Sequence, residues 1–78
     1  MPRVNSAYEE IRRRDEQIGR NIKSLAAKIG LNTIQLADRI CMPQSSMYHR
    51  LQKSGDIRVS ELYKIAKALG VSVNEILE

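Results

Sequence analysis

The apolar positions of this chain recur at intervals of three and four along most of its length, the period of helices rather than strands. The longest run is Tyr8, Ile11, Ile18, Ile22, Leu25 and Ile29. Its spacing is unbroken once Asp15 is counted as the missing member, so one helix from Ala7 to about Lys28 puts all of these on one stripe. Ser6 with Glu9 is a capping box that starts it. Gly19 lies inside the run and costs a helix about 1 kcal/mol against Ala, which leaves a break near Asp15–Gly19 as the alternative. Gly30 ends the helix as its C′ residue, and Asn32 caps the next. Met1–Asn5, with Arg3, reads as a disordered arm.

Two short helices follow, joined by a tight turn, over Thr33–Leu51 (TIQLADRICMPQSSMYHRL). In the first, Leu36, Ala37 and Ile40 share a face, and Ala37 supplies the small side chain that two steeply crossing helices need where they meet. Cys41 and Met42 make the corner, and Pro43 permits a new helix start. In the second, Met47 and Leu51 stand at i, i+4 and turn inward. That leaves Gln44, Ser45, Tyr48 and His49 outward, with Arg50 and Gln52 at the edges.

The stretch QKSGDIR is a loop of turn formers. A fourth helix runs from about Val59 to Leu69, with Val59, Leu62, Ile65, Ala66 and Leu69 inward. Gly70 stops it. Ser72 and Glu75 form a second capping box, opening a short last helix with Val73, Ile76 and Leu77 inward. Five short-looped helices make an all-α bundle.

Composition narrows the function. The chain has 78 residues, enough for one domain with a modest core, and that core is aliphatic and Met-based because Phe and Trp are absent. The net charge is +4, which suggests a polyanionic partner; the plainer reading is a solubilising charge. A single Cys excludes an internal disulfide and fits a reducing cytoplasm, and one Cys with one His cannot build a structural zinc site. No apolar run approaches the ~20 residues of a membrane helix, and the N-terminus lacks the apolar segment of a secretory signal. No catalytic constellation is present, so neither an enzyme nor a cofactor is expected.

With its tail IAKALGVSVNEIL, the Thr33–Leu51 stretch resembles the helix-turn-helix of the Cro and lambda-repressor type, the XRE-like family of small phage and bacterial regulators. The family places an apolar residue at Leu36, a small one at Ala37 and apolar ones at Ile40, Met42 and Met47, and all five match. Three positions depart. The family often has Gln where Thr33 stands. Its corner, Cys41 here, is usually Gly because the turn needs a left-handed backbone, so strain is expected. Its second inward position on the recognition helix falls at Arg50, and Leu51 is expected to take over that role.

The resemblance implies a five-helix lambda-repressor-like DNA-binding domain over residues 17–78, preceded by an arm and helical extension over residues 1–16. It implies a sequence-specific regulator of double-stranded DNA, of the repressor kind found in phages and mobile elements, acting in the cytoplasm at the nucleoid. Carried over by position, the second helix of the motif, about residues 44–52, lies in the major groove with Gln44, Ser45, Tyr48 and His49 on base edges. For each, the alternative is an exposed helix residue with no partner. Thr33, Ser46, Arg50, Lys53 and Arg58 flank this face as phosphate contacts. Between Arg39 and Arg58 there are four Lys or Arg and one Asp; from Glu61 to Glu78 there are two Lys and three Glu. Positive charge thus gathers around the motif.

A homodimer on a two-fold operator is expected. Tyr8 and Ile11 lie beyond the family's core and either fold back on the domain or pair with a second chain, a coil that Asp15 would weaken. Arg12, Arg13 and Arg14 beside Glu9, Glu10, Asp15 and Glu16 read as a solvated helix face with i, i+4 pairs. Cys41 reads as buried packing rather than a redox sensor. The competing class is a protein-interaction or antitoxin-like module on the same fold.

Overall fold

The computed structural model describes residues 5–78, and side-chain surroundings from residue 7 onward. Five helices form: α1 Asn5–Lys28, α2 Thr33–Arg39, α3 Gln44–Gln52, α4 Val59–Leu69 and α5 Val73–Leu77, with a 3-10 turn at Ser54–Asp56 inside the expected loop. Of the expected arm Met1–Asn5, residues 1–4 with Arg3 lie outside the described residues, as does the Ser6 hydroxyl of the first capping box. Asn5 already belongs to α1, so the helix includes residues before Ala7.

The core is aliphatic throughout. Ile22, Leu36, Met47, Ile65 and Ile76, one from each helix, have almost no exposed surface, and Ala26, Ala37, Leu51, Ala66 and Leu69 complete the cluster. Burial of this kind contributes about 25 cal/mol per Å² of apolar surface removed from water, and it holds together helices too short to be stable alone. The three tyrosines, Tyr8, Tyr48 and Tyr63, all stay on the surface.

α1 runs without a break because Gly19 is a packing residue. A Cβ built there would sit 2.6 Å from the Leu51 carbonyl oxygen and 2.8 Å from Ser54 Oγ. The bare backbone lets the end of α3 and the 3-10 turn come against α1. Asp15 holds its place in the apolar stripe for a related reason: its carboxylate lies against Gly55, where a Cβ would be 2.6 Å from Oδ2. At the other end, Asn21 Nδ2 donates to the Ile76 carbonyl at 2.8 Å and ties α5 to α1.

Local signals set the helix ends. Gly30 and Gly70 adopt φ of 77° and 72°, the left-handed C′ geometry open to Gly. Asn32 accepts from the Gln35 N–H at 2.8 Å while Gln35 Oε1 accepts from the Asn32 N–H at 2.9 Å, a full capping box. Ser72 and Glu75 repeat it at 3.3 and 3.2 Å.

Three expected core residues are on the surface. Ile29 is 50% exposed, since α1 has ended; Leu31, whose N–H returns to the Ala26 carbonyl at 2.9 Å, packs on the core in its place. Val59, the first residue of α4, is 70% exposed, and Leu77 sits half exposed at the last turn of α5. Tyr8 and Ile11, 69% and 56% exposed, continue the inward stripe of α1 past the point where the domain stops. They do not fold back, and the overhang makes the molecule 46 Å long against a width of 23 Å. Arg12, Arg13 and Arg14 are solvated as expected, but none forms an ion pair among the described residues. Exposed pairs of this kind are worth about 0–1 kcal/mol, too little to fix long side chains.

Candidate nucleic-acid interface

α2 and α3 cross at Ala37, which is fully buried, and the corner between them is closed by the Met42 N–H donating to the Ala37 carbonyl at 2.9 Å. This geometry puts Cys41 at φ 56°, left-handed, as the corner requires. The Cys41 side chain is exposed rather than packed inside, because a left-handed residue at the outside of a turn points its Cβ to solvent. Pro43 caps α3 with no side-chain hydrogen bond, which leaves its first-turn N–H groups without a side-chain acceptor at the cap.

The inward face of α3 is Met47 and Leu51, and Leu51 does replace the residue at Arg50 as the second anchor. Gln44, Ser45, Tyr48, His49 and Gln52 are exposed on the other side, with Ser46 half-buried between. Among the described residues Gln44, Ser45 and Tyr48 spend no side-chain hydrogen bond on their own protein, whereas His49 does: its Nε2 lies 3.0 Å from Asp56 Oδ2. Thr33 opens α2 and is half-buried, while Lys53 and Arg58 are exposed where α3 ends and α4 begins.

Arg50, expected as a phosphate contact, is paired within the protein. Its Nε donates to Glu61 Oε1 at 2.9 Å and a terminal nitrogen to Oε2 at 3.3 Å, a forked pair mostly screened from water. Oε1 also accepts from the Arg58 N–H at 2.9 Å. One carboxylate therefore joins the reading helix to the start of α4. The Arg50 hydrogen bond holds the Glu61 carboxyl below the usual carboxylate range against the opposing effect of burial, with the Arg58 N–H adding to it; Glu61 in turn raises the Arg50 guanidinium. The Arg50 charge is thus committed inside the protein.

The family model described as helix-turn-helix matches residues 22–76. The chain belongs to the helix-turn-helix family, of the Cro and lambda-repressor type. Comparisons with curated proteins and with solved structures each return no match. This helix-turn-helix protein is a DNA-binding regulator whose partner is double-stranded DNA, and no helix among its described residues is long and apolar enough to cross a membrane. The matched region begins at Ile22, so the overhanging half of α1 lies outside it.

Sequence reasoning missed Glu61 and Asp56. Glu61 lies in the first turn of α4, where its carboxylate accepts from the Arg58 N–H, but its hold on Arg50 joins positions on separate helices. Nothing in the local sequence marks Asp56 as the partner of His49.

Proposed function

We propose that the protein is a sequence-specific repressor of the phage or mobile-element type, with α3 seated in the major groove. Gln44, Ser45, Tyr48 and His49 read base edges; Thr33, Ser46, Lys53 and Arg58 contact phosphates. The observation that carries this is the outward face of α3. It presents three polar side chains with no partner of their own among the described residues, beside a helix start that no side chain caps and whose N–H groups suit a phosphate. Arg50 serves this reading as a strut for α3 rather than as a contact. A homodimer on a two-fold operator, with half-sites about one helical turn apart, fits the exposed Tyr8 and Ile11 as its pairing surface.

Selection from random duplex pools tests the reading. The expected result is an enriched two-fold motif that Gln44→Ala and Tyr48→Ala each degrade at separate positions. No enrichment, with both substitutions silent on plain duplex, would rule it out in favour of a protein-interaction module.

A further inference from the structure

Resting on the groove-seated reading of α3 and deepening it, we propose that Asp56 sets what His49 reads. It holds the imidazole so that DNA meets a bare Nδ1 acceptor, selecting an adenine or cytosine amino group and rejecting guanine. Nε2 lies 3.0 Å from Asp56 Oδ2. An ionised carboxylate can only accept, so Nε2 carries the proton at this contact. In the neutral ring the remaining lone pair is then on Nδ1, which has no partner among the described residues. Turning the ring over, to offer Nε2–H to DNA, would break the contact.

In the major groove adenine N6 and cytosine N4 present amino donors, whereas guanine presents the acceptors N7 and O6. A histidine judged by residue type alone is a donor to guanine; pinned by Asp56 it sets lone pair against lone pair there. Both side chains are about half exposed, and the fold fixes the backbone of the turn that carries Asp56. The Asp56 N–H donates to the Lys53 carbonyl at 2.9 Å and the Ile57 N–H to the Ser54 carbonyl at 3.1 Å. α1 presses on the same turn through Gly19 against Ser54 and Asp15 against Gly55. A carboxylate on this face weakens binding to every duplex alike, so its effect on choice is read as a ratio between duplexes. Asp56 is in this sense a positioning residue for His49.

The test is duplex selection at about pH 8.5 with wild type, His49→Ala, Asp56→Ala and Asp56→Asn, together with nitrogen-15 NMR of the free wild-type ring. His49→Ala should relax one base pair that in wild type carries adenine or cytosine. Asp56→Ala should admit guanine at that pair, lowering its discrimination by roughly tenfold or more, while the position sensitive to Gln44→Ala keeps its preference. Asp56→Asn, which keeps an acceptor, should retain the wild-type choice. NMR should find the proton on Nε2, exchanging faster in Asp56→Ala. An unchanged motif in Asp56→Ala, guanine at the His49 position in wild type, or a proton on Nδ1 overturns the proposal. A wild type that enriches nothing defeats the groove reading itself, and the NMR arm then judges the Asp56 contact alone.

Discussion

Gly19→Ala sets two effects of similar size against each other. In an open helix interior the change stabilises by about 1 kcal/mol through backbone propensity. Here the new methyl would stand 2.6 Å from the Leu51 carbonyl oxygen and 2.8 Å from Ser54 Oγ. The first neighbour is backbone and cannot swing aside, so α1 must lift from the end of α3. Overfilling of this kind costs about 1–3 kcal/mol. The expected balance is a loss of roughly 1 kcal/mol, which in a domain this small lowers Tm by about 4–8 °C. Far-UV circular dichroism melting measures it, with Ser24→Ala on the exposed face of α1 as the control that should gain slightly. Ser54→Ala in the Gly19→Ala background should recover only part of the loss, since the Leu51 contact remains. A Gly19→Ala protein that melts several degrees higher than wild type would show that α1 does not press on α3 there.

Further outcomes follow from single residues. Cys41→Gly should stabilise by roughly 0.5–1 kcal/mol in the same melts: the left-handed backbone costs a side chain about 1–2 kcal/mol, partly offset by the freer unfolded chain. Glu61→Gln should remove an acid-sensitive part of stability. The Glu61 carboxyl is held below its ordinary range, so its contribution is complete above that range and is lost as pH falls through the folded value. The stability gap between wild type and Glu61→Gln, by denaturant titration, should therefore be flat above about pH 5 and close on acidification below it. In DNA titrations, Lys53→Ala and Arg58→Ala should each reduce the salt slope by about one and weaken all duplexes alike, whereas Gln44→Ala should cost about 1–3 kcal/mol at one base pair.

Much of the fold was legible because its punctuation is local. Gly30, Asn32, Gly70 and Ser72 each act within a few residues, and α4 occupies the Val59–Leu69 span that its periodicity predicts. Periodicity names a face but not where the neighbouring surface stops, which is why it puts Ile29, Val59 and Leu77 inside. Gly19 read as a flaw in a helix because the carbonyl it makes room for is on α3, far along the chain. The outward face of α3 was legible for a similar reason to the fold: Met47 and Leu51 fix its rotation. The partners that restrain that face were not, since Arg50–Glu61 and His49–Asp56 each reach beyond α3.

Surface placement of every aromatic ring makes the protein optically quiet about its own folding. With no tryptophan or phenylalanine and three solvent-facing tyrosines, near-ultraviolet absorbance and emission change little when the interior melts. Those signals belong instead to whatever touches the outside. A chain carrying Tyr8→Phe and Tyr63→Phe keeps a single emitter, Tyr48, so that titrating it with duplex turns the reading helix into its own reporter.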